Sequence, residues 1–233
     1  MADAEQTTTM PPLADDSPGN IRLVLTMAGI GLIAGVLIVL AYQLTFPVIQ
    51  RNKAIALERA IFEVVPGARS EAAFKLDGDV LRPLPDGEDA IVKYYACYDE
   101  AGELTGVALE ASGQGFQDIL RVLYGYSPAC RCIVGMKVLE SKETPGLGDK
   151  IEKDPDFRAN FDALDVQLGD DAATMSHPIE LVKPGKKSEA WQVEAITGAT
   201  ISSRAIANIL RESSAIAVPI IVKNMSVLEE GAK

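Results

Sequence analysis

The chain has little of what most catalytic and scaffold chemistry needs. Its 233 residues hold one His, one Trp and three Cys. A single histidine excludes most histidine-based metal centres and argues against a Ser-His-Asp hydrolase. Three cysteines are too few for a disulfide framework or a four-cysteine zinc site. Positive charge is also scarce: 22 Lys and Arg stand against 33 Asp and Glu, for a formal charge of -11. With only 6% aromatics, that balance leaves no basic, base-stacking face, so nucleic acid is not an expected partner. No GxxxxGK[ST] run is present, which excludes a P-loop. Hydrophobic residues, by contrast, make up 48% of the chain, enough to build a core.

Those apolar residues are concentrated. Leu23 to Leu44 is a run of 22 residues without a charge. As a helix it would extend roughly 33 Å, the thickness of a bilayer core. It is longer than the apolar region of a cleaved signal peptide and continues through Tyr42, Phe46 and Pro47, so an uncleaved transmembrane helix over residues 21–46 is expected. Gly31 and Gly35 form a GxxxG pair, a spacing that permits close helix approach. Charge says little about sidedness. Residues 1–20 are acidic, with Asp3, Glu5, Asp15 and Asp16 and no Lys or Arg, and read as a disordered tail. Arg51, Lys53 and Arg59 outnumber Arg22, which taken literally puts the large domain in the cytoplasm, but the bias is small and large domains translocate regardless.

Beyond the anchor the pattern is α+β, an antiparallel sheet with flanking helices over residues 47–223, followed by a short tail at 224–233. Asn52 to Val65 lacks internal Pro or Gly and stops at Pro66-Gly67, which predicts a helix. Arg69 to Asp89 is punctuated by Gly, Pro and Asp and reads as a loop or marginal hairpin. Ile91–Tyr98 with Leu104–Ala111, and Ile119–Tyr126 with Cys132–Glu140, read as two hairpins. They superpose at an offset of 29 residues, matching Tyr95 to Tyr124, Cys97 to Tyr126, Leu104 to Ile133 and Gly106 to Gly135, as an internal duplication would. Asp154-Pro155 starts a short helix, Ala190–Ile196 reads as a strand, and a helix runs from Ser202 to about Val218, ending near Pro219.

The last strand-to-helix junction concentrates the chemistry: Glu194-Ala195-Ile196-Thr197-Gly198-Ala199-Thr200-Ile201-Ser202-Ser203-Arg204. Small and hydroxyl residues where a helix begins suit an anion, because first-turn N–H groups lack acceptors and the dipole is positive there. From the residues alone a plain helix cap, by Thr200 or Ser202, is the reading to expect, since that use of them is the commoner one. The cysteines are open in the same way: a CxC at a turn with a distant Cys97 fits small buried hydrophobes, a metal site or a Cys97–Cys130 disulfide. His177, beside Pro178 in a loop, reads as a solvated surface residue.

The run Thr197-Gly198-Ala199-Thr200-Ile201-Ser202-Ser203 resembles the flavinylation motif of FMN-binding domains, in which the final Thr bears FMN through a phosphoester. Glu143-Thr144-Pro145-Gly146-Leu147-Gly148-Asp149 resembles a second signature of those domains, and Gly113-Gln114-Gly115-Phe116 resembles a third, a Gly-x-Gly-aromatic loop. With one amino-terminal anchor, the set resembles the G subunit of the Rnf ion-translocating electron transport complex. The C subunit of the sodium-translocating NADH:quinone reductase carries a similar motif and anchor, but the short length and the Ile201-Ser202-Ser203 continuation favour the Rnf type. What the Rnf resemblance implies is an electron-transfer subunit of a translocase complex with no catalytic acid or base of its own. It would be a single-pass protein of the cytoplasmic membrane, its domain on the outer (periplasmic) face and its partners the complex's other membrane and redox subunits. Thr200 would carry covalent FMN, attached by a flavin transferase that reads Thr197, Gly198 and Ala199. Ser203, Glu143, Thr144, Gly146 and Leu147 would lie near the cofactor. Glu194 stands where the family usually has Asp. An unflavinylated, membrane-tethered binding or assembly module is the reading from a different class.

Overall fold

The computed structural model describes residues 19–85, 88 and 90–231. The acidic segment expected to be a disordered tail falls on residues 1–18, outside the described residues, and on Gly19 and Asn20. The chain divides into two units, Met1–Asn52 and Lys53–Lys233.

A single helix, α1, runs Asn20–Val64 and includes Pro47. The separate anchor and Asn52–Val65 helices expected from the sequence are therefore one element. Proline removes one intrahelical bond and crowds the preceding turn, but a long helix absorbs both without ending. From Ile21 to Ile49 every residue of α1 is exposed, whereas Ala60, Ile61 and Val64 are buried.

The domain is built on a seven-stranded antiparallel sheet. Its strands are β1 (Ser70–Asp77), β2 (Val80–Pro83), β3 (Lys93–Tyr98), β4 (Leu104–Gln114), β5 (Ile119–Ser127), β6 (Cys132–Glu140) and β7 (Leu164–Asp165), in spatial order β2-β1-β3-β4-β5-β6-β7. The segment read as a loop or marginal hairpin is β1 and β2, and β1 pairs with β3 along its length, from Ser70 opposite Tyr98 to Lys75 opposite Lys93. Pairing with a neighbour stabilises a hairpin that the local sequence alone leaves weak.

Both expected hairpins form, and both carry an irregularity at the same place. Cys97 pairs with Gly106 and Tyr98 with Leu104; Gly125 pairs with Gly135 and Tyr126 with Ile133. The equivalence is therefore 28 residues on the first strand and 29 on the second, because the β5–β6 turn is one residue longer. The one-residue correction matters, since a slip of one exchanges the faces of a strand. At 28, Tyr98 matches Tyr126 on one core face and Tyr95 matches Leu123 on the other.

Two single helical turns follow β6, α2 (Lys150–Lys153) and α3 (Pro155–Arg158), the second being the short helix expected at Asp154-Pro155. Each face of the sheet has its own cover. One face is packed by α4 (Thr200–Lys223), with Ile206, Leu210, Val218 and Ile221 buried against Phe74, Leu109, Tyr124 and other sheet residues. The opposite face receives the end of α1, where Ile61, Val64 and Val65 meet Tyr95, Cys97, Ala108 and Leu123. Three glycines on adjacent strands make that approach feasible. A Cβ at Gly106, Gly125 or Gly135 would come within 2.9 Å of Val64 or Val65 atoms. Ion pairs of Glu63 with Lys137 and Arg158, and of Lys53 with Glu140, ring the same contact.

Three corrections remain at the edges. α4 continues through Pro219 to Lys223 instead of ending near Pro219. Residues 224–233, expected as a tail, contain α5 (Met225–Glu230), whose Leu228 is fully buried and whose carbonyl accepts from Tyr98 Oη at 2.6 Å. Asn224 fixes the junction, accepting from Leu81 N at 3.0 Å and donating to Asp79 O at 3.1 Å. The strand expected at Ala190–Ile196 is the shorter β9 (Gln192–Glu194), which pairs in parallel with β8 (Glu180–Val182) in a separate two-stranded sheet.

The cysteines also resolve. Cys130 and Cys132 are joined as a disulfide, and Cys97 is free and buried, so the Cys97–Cys130 pairing is not formed. Among the described residues no cluster of His, Cys, Asp or Glu is arranged to hold a metal. His177 is exposed as expected, yet its ring stacks on Trp191 at 3.9 Å between centroids.

Candidate functional site

Three segments far apart in sequence converge at one end of the sheet. They are the β4–β5 turn (115–118), the loop after β6 (141–149) and the start of α4. Glu143 joins them. Its side chain is 6% exposed, and Oε1 accepts from Phe116 N at 2.8 Å and Gln117 N at 3.1 Å. Oε2 accepts from the Ser202 hydroxyl at 2.5 Å. A buried carboxylate is costly unless its oxygens are satisfied. Here three donors and the positive end of α4 meet that requirement.

The glycines around Glu143 explain why this packing needs its sequence. A Cβ at Gly115 would lie 2.5 Å from Glu143 Oε1, and one at Gly148 would lie 2.5 Å from Oε2 and 2.9 Å from the Ser202 oxygen. Larger side chains at either position would displace the carboxylate. Gly146 has a different role: its φ of +78° turns the loop, and a side chain there would meet open space.

The junction expected to cap the helix does not do so. The N-cap is Ala199, and among the described residues no side chain caps α4. Ser202 is engaged with Glu143. Ser203, fully buried, accepts from Ile196 N at 3.1 Å and donates to Ala199 O at 2.9 Å, so it braces the turn from behind. Gly198, at φ +84°, supplies the reversal before the helix. Thr200 is left exposed as the first helical residue.

Thr200 opens onto a cavity of about 310 Å³. Phe116, Leu147 and Ile201 line it, each between 52% and 58% exposed, with Glu143, Thr144 and Ser202 among the polar lining. Three large apolar side chains held in solvent around one free hydroxyl form a binding surface, since isolated exposed hydrophobes are common but convergent ones are not. The residues fit a flavin mononucleotide. The open N–H groups at the start of α4 suit a phosphate, and the apolar rim suits a flat ring.

Of the residues singled out from the sequence, Thr200, Gly198, Ala199, Glu143, Thr144 and Leu147 line this cavity. Thr197 lies instead on the other side of the turn, in a polar cleft of about 600 Å³. Glu194 lines that cleft too, its carboxylate accepting from Gly185 N at 2.5 Å. Asn160 holds the strand beside it, accepting from Glu194 N at 2.9 Å and from Lys187 Nζ at 3.1 Å. Burial holds the Lys187 ammonium below its ordinary pKa. Gly148, in the loop that the resemblance places near the cofactor, lines the cavity as well, whereas the sequence alone does not single out Ser202 and Ile201 as cofactor contacts. Ser202 was legible only as a hydroxyl at a helix start, and its partner Glu143 is 59 residues away.

Known proteins match at each level. The FMN-binding domain family matches residues 115–214, which span the cavity's three segments. Solved structures of similar fold include NqrC from Shewanella oneidensis, with a TM-score of 0.58 and 18% identity over 78% of this chain and 98% of that one. The C subunit of the Na(+)-translocating NADH-quinone reductase from Parabacteroides distasonis gives a TM-score of 0.51 and 19% identity, covering 66% and 78%. At those identities the likeness establishes the fold. Sequence relatives carry a different name. The G subunit of the ion-translocating oxidoreductase complex of Shewanella piezotolerans is 27% identical over 75% of this chain and 78% of its own. The protein of the same name from Methanosarcina acetivorans is 30% identical over 85% of this chain and 94% of its own. The chain therefore belongs to the G-subunit family of ion-translocating oxidoreductase complexes.

Proposed function

We propose that this protein is the membrane-anchored flavin subunit of an Rnf-type ion-translocating oxidoreductase, with FMN joined to Thr200 as a phosphoester. The observation that carries the reading is an exposed threonine hydroxyl opening a helix at the mouth of a cavity rimmed by Phe116, Leu147 and Ile201. FMN, when bound, supplies the electron chemistry, and the chain supplies position and surroundings.

Each residue then has a physical task. Thr200 provides the ester oxygen, and the open first-turn N–H groups of α4 offset the phosphate charge. Phe116, Leu147 and Ile201 give the ring apolar contact while leaving it accessible to redox partners. Glu143 keeps the walls in register by holding the Phe116 and Gln117 amides and the Ser202 hydroxyl. Thr197, exposed on the turn's polar side with Glu194, is available to a flavin transferase taking FMN from FAD. A covalent link prevents loss of the cofactor where no flavin pool replenishes it. That argument, with the Cys130–Cys132 disulfide, a bond that forms in oxidising compartments, supports a domain on the outer face of the cytoplasmic membrane. The anchor keeps the domain at high effective concentration beside the other subunits.

The test is fluorescence of the denatured full-length protein in a gel under ultraviolet light, after production with a flavin transferase. Wild type is expected to fluoresce and Thr200→Val to be dark while still folded. A fluorescent Thr200→Val would move the bond elsewhere, and a dark wild type would leave a tethered assembly module. Protease added to intact spheroplasts tests sidedness, with degradation of the domain expected.

A further inference from the structure

The β5–β6 turn holds chemistry that the flavin site does not use. Cys130 and Cys132 are disulfide-bonded across one residue, Arg131, whose φ of +57° is left-handed. The turn itself brings the two sulfurs together. The residues are unequal: Cys130 is exposed, whereas Cys132 is 5% exposed and begins β6 opposite Ser127 and Asp165. As a staple the bond is nearly redundant. Loop-closure entropy grows with loop length, a three-residue loop is close to the shortest, and the hairpin is already held by nine-residue strands. An accessible sulfur beside an arginine is the setting in which thiol exchange proceeds. The remaining cysteine, Cys97, is buried on the sheet face under α1 and offers no competing site.

We propose that Cys130–Cys132 is a thiol–disulfide exchange site that takes electrons from an external dithiol. A thiolate of the dithiol attacks Sγ of Cys130, the exposed residue of the pair. The S–S bond breaks, its electron pair leaves on Cys132 Sγ, and that sulfur takes a proton from water. The second thiolate of the dithiol then attacks its own sulfur in the mixed disulfide, closing a disulfide on the reductant and releasing Cys130, which is protonated in turn. The protein disulfide gains two electrons and two protons, and the dithiol loses the same. Flavin is not the electron source. The cavity adjoins the start of β5 and the end of β6, whereas the disulfide lies at the opposite ends, roughly 27 Å away along nine-residue strands.

The experiment uses full-length protein in detergent, trapped with acid on cell lysis and then equilibrated in glutathione buffers before alkylation and mass analysis. The trapped protein is expected to be oxidised at Cys130 and Cys132. Reduced glutathione should open the pair reversibly, giving two adducts there and none on Cys97. Cys132→Ser is expected to capture glutathione on Cys130, and Cys130→Ser to capture none on Cys132. The double serine variant should melt within about 5 °C of wild type, as a short-loop bond implies. Two free thiols in the trapped protein, a pair that stays closed in the most reducing buffer, capture on Cys132 instead of Cys130, or a drop in Tm beyond about 10 °C would each overturn the proposal.

Discussion

Among the described residues two helices are long and apolar enough to cross a membrane, and they have opposite fates. The α1 segment has none of its most apolar stretch buried, with residues such as Leu32, Ile33, Leu37 and Ile38 more than 60% exposed. Half of the corresponding stretch of α4 is buried, and its stripe of Ile206, Leu210, Val218 and Ile221 lies against the sheet. The number and placement of charges separate them. α4 carries Arg204, Arg211, Glu212 and Lys223 on its open side, so one face suits protein and the other suits water. α1 from Leu23 to Leu44 has no charge on any side and is exposed throughout, the pattern that suits lipid.

Charge insertion breaks this comparison most sharply. Ile206→Arg places an unpaired charge where the side chain is fully buried, and the domain is expected to lose cooperative thermal unfolding. Leu32→Arg with Leu37→Arg should do the reverse. At about 2.5–3.5 kcal/mol each near a membrane helix centre, they should shift the protein out of the membrane fraction while the domain still unfolds cooperatively. Truncation gives the next effect. Leu210→Ala should cost about 2–5 kcal/mol in denaturant unfolding of the domain, and Leu37→Ala close to nothing. Equal effects from the two would mean that the exposed half of α1 is packed after all.

Smaller effects sharpen what α4 does at its start. Glu143→Ala leaves two amides and the Ser202 hydroxyl without their acceptor, and should destabilise the domain by about 1–3 kcal/mol. Glu143→Gln, which can still accept from the amides, should recover most of that loss by the same measurement. The smallest effect is at Cys97. Burial, with Glu71 nearby, pushes its thiol up to about 12, so the thiolate is absent at any pH at which the native protein is handled. Native protein at pH 8 should leave Cys97 unalkylated, and denatured protein should not.

Much of the site was legible because its residues are local in sequence. Thr197 to Ser203 sit at one strand-to-helix junction, and the Glu143–Asp149 loop is continuous. Spacing and turn chemistry expose both. What lay beyond the sequence was assembly. That Glu143 accepts from Ser202 requires a loop and a helix start 59 residues apart to meet, and no periodicity carries that distance. Ser203 illustrates the same limit, since its hydroxyl looks as available as that of Thr200 but faces the turn and is fully buried. The one-residue shift between the hairpins was hidden because the turns differ in length, and only the observed pairing shows which residues share a face.

By itself the sequence determined the anchor, the two central hairpins and the hydroxyl-rich junction before the last long helix, because each follows from a local property: an uncharged run, alternation bounded by turn residues, small residues before a helical pattern. The tertiary structure alone decided that α1 continues through Pro47 to a seat of three glycines, that the weak β1–β2 hairpin joins the sheet, that α5 closes its edge, and that Cys130 bonds Cys132. Each of those outcomes depends on a partner distant in the chain or on a turn's geometry, and neither is written in composition or period.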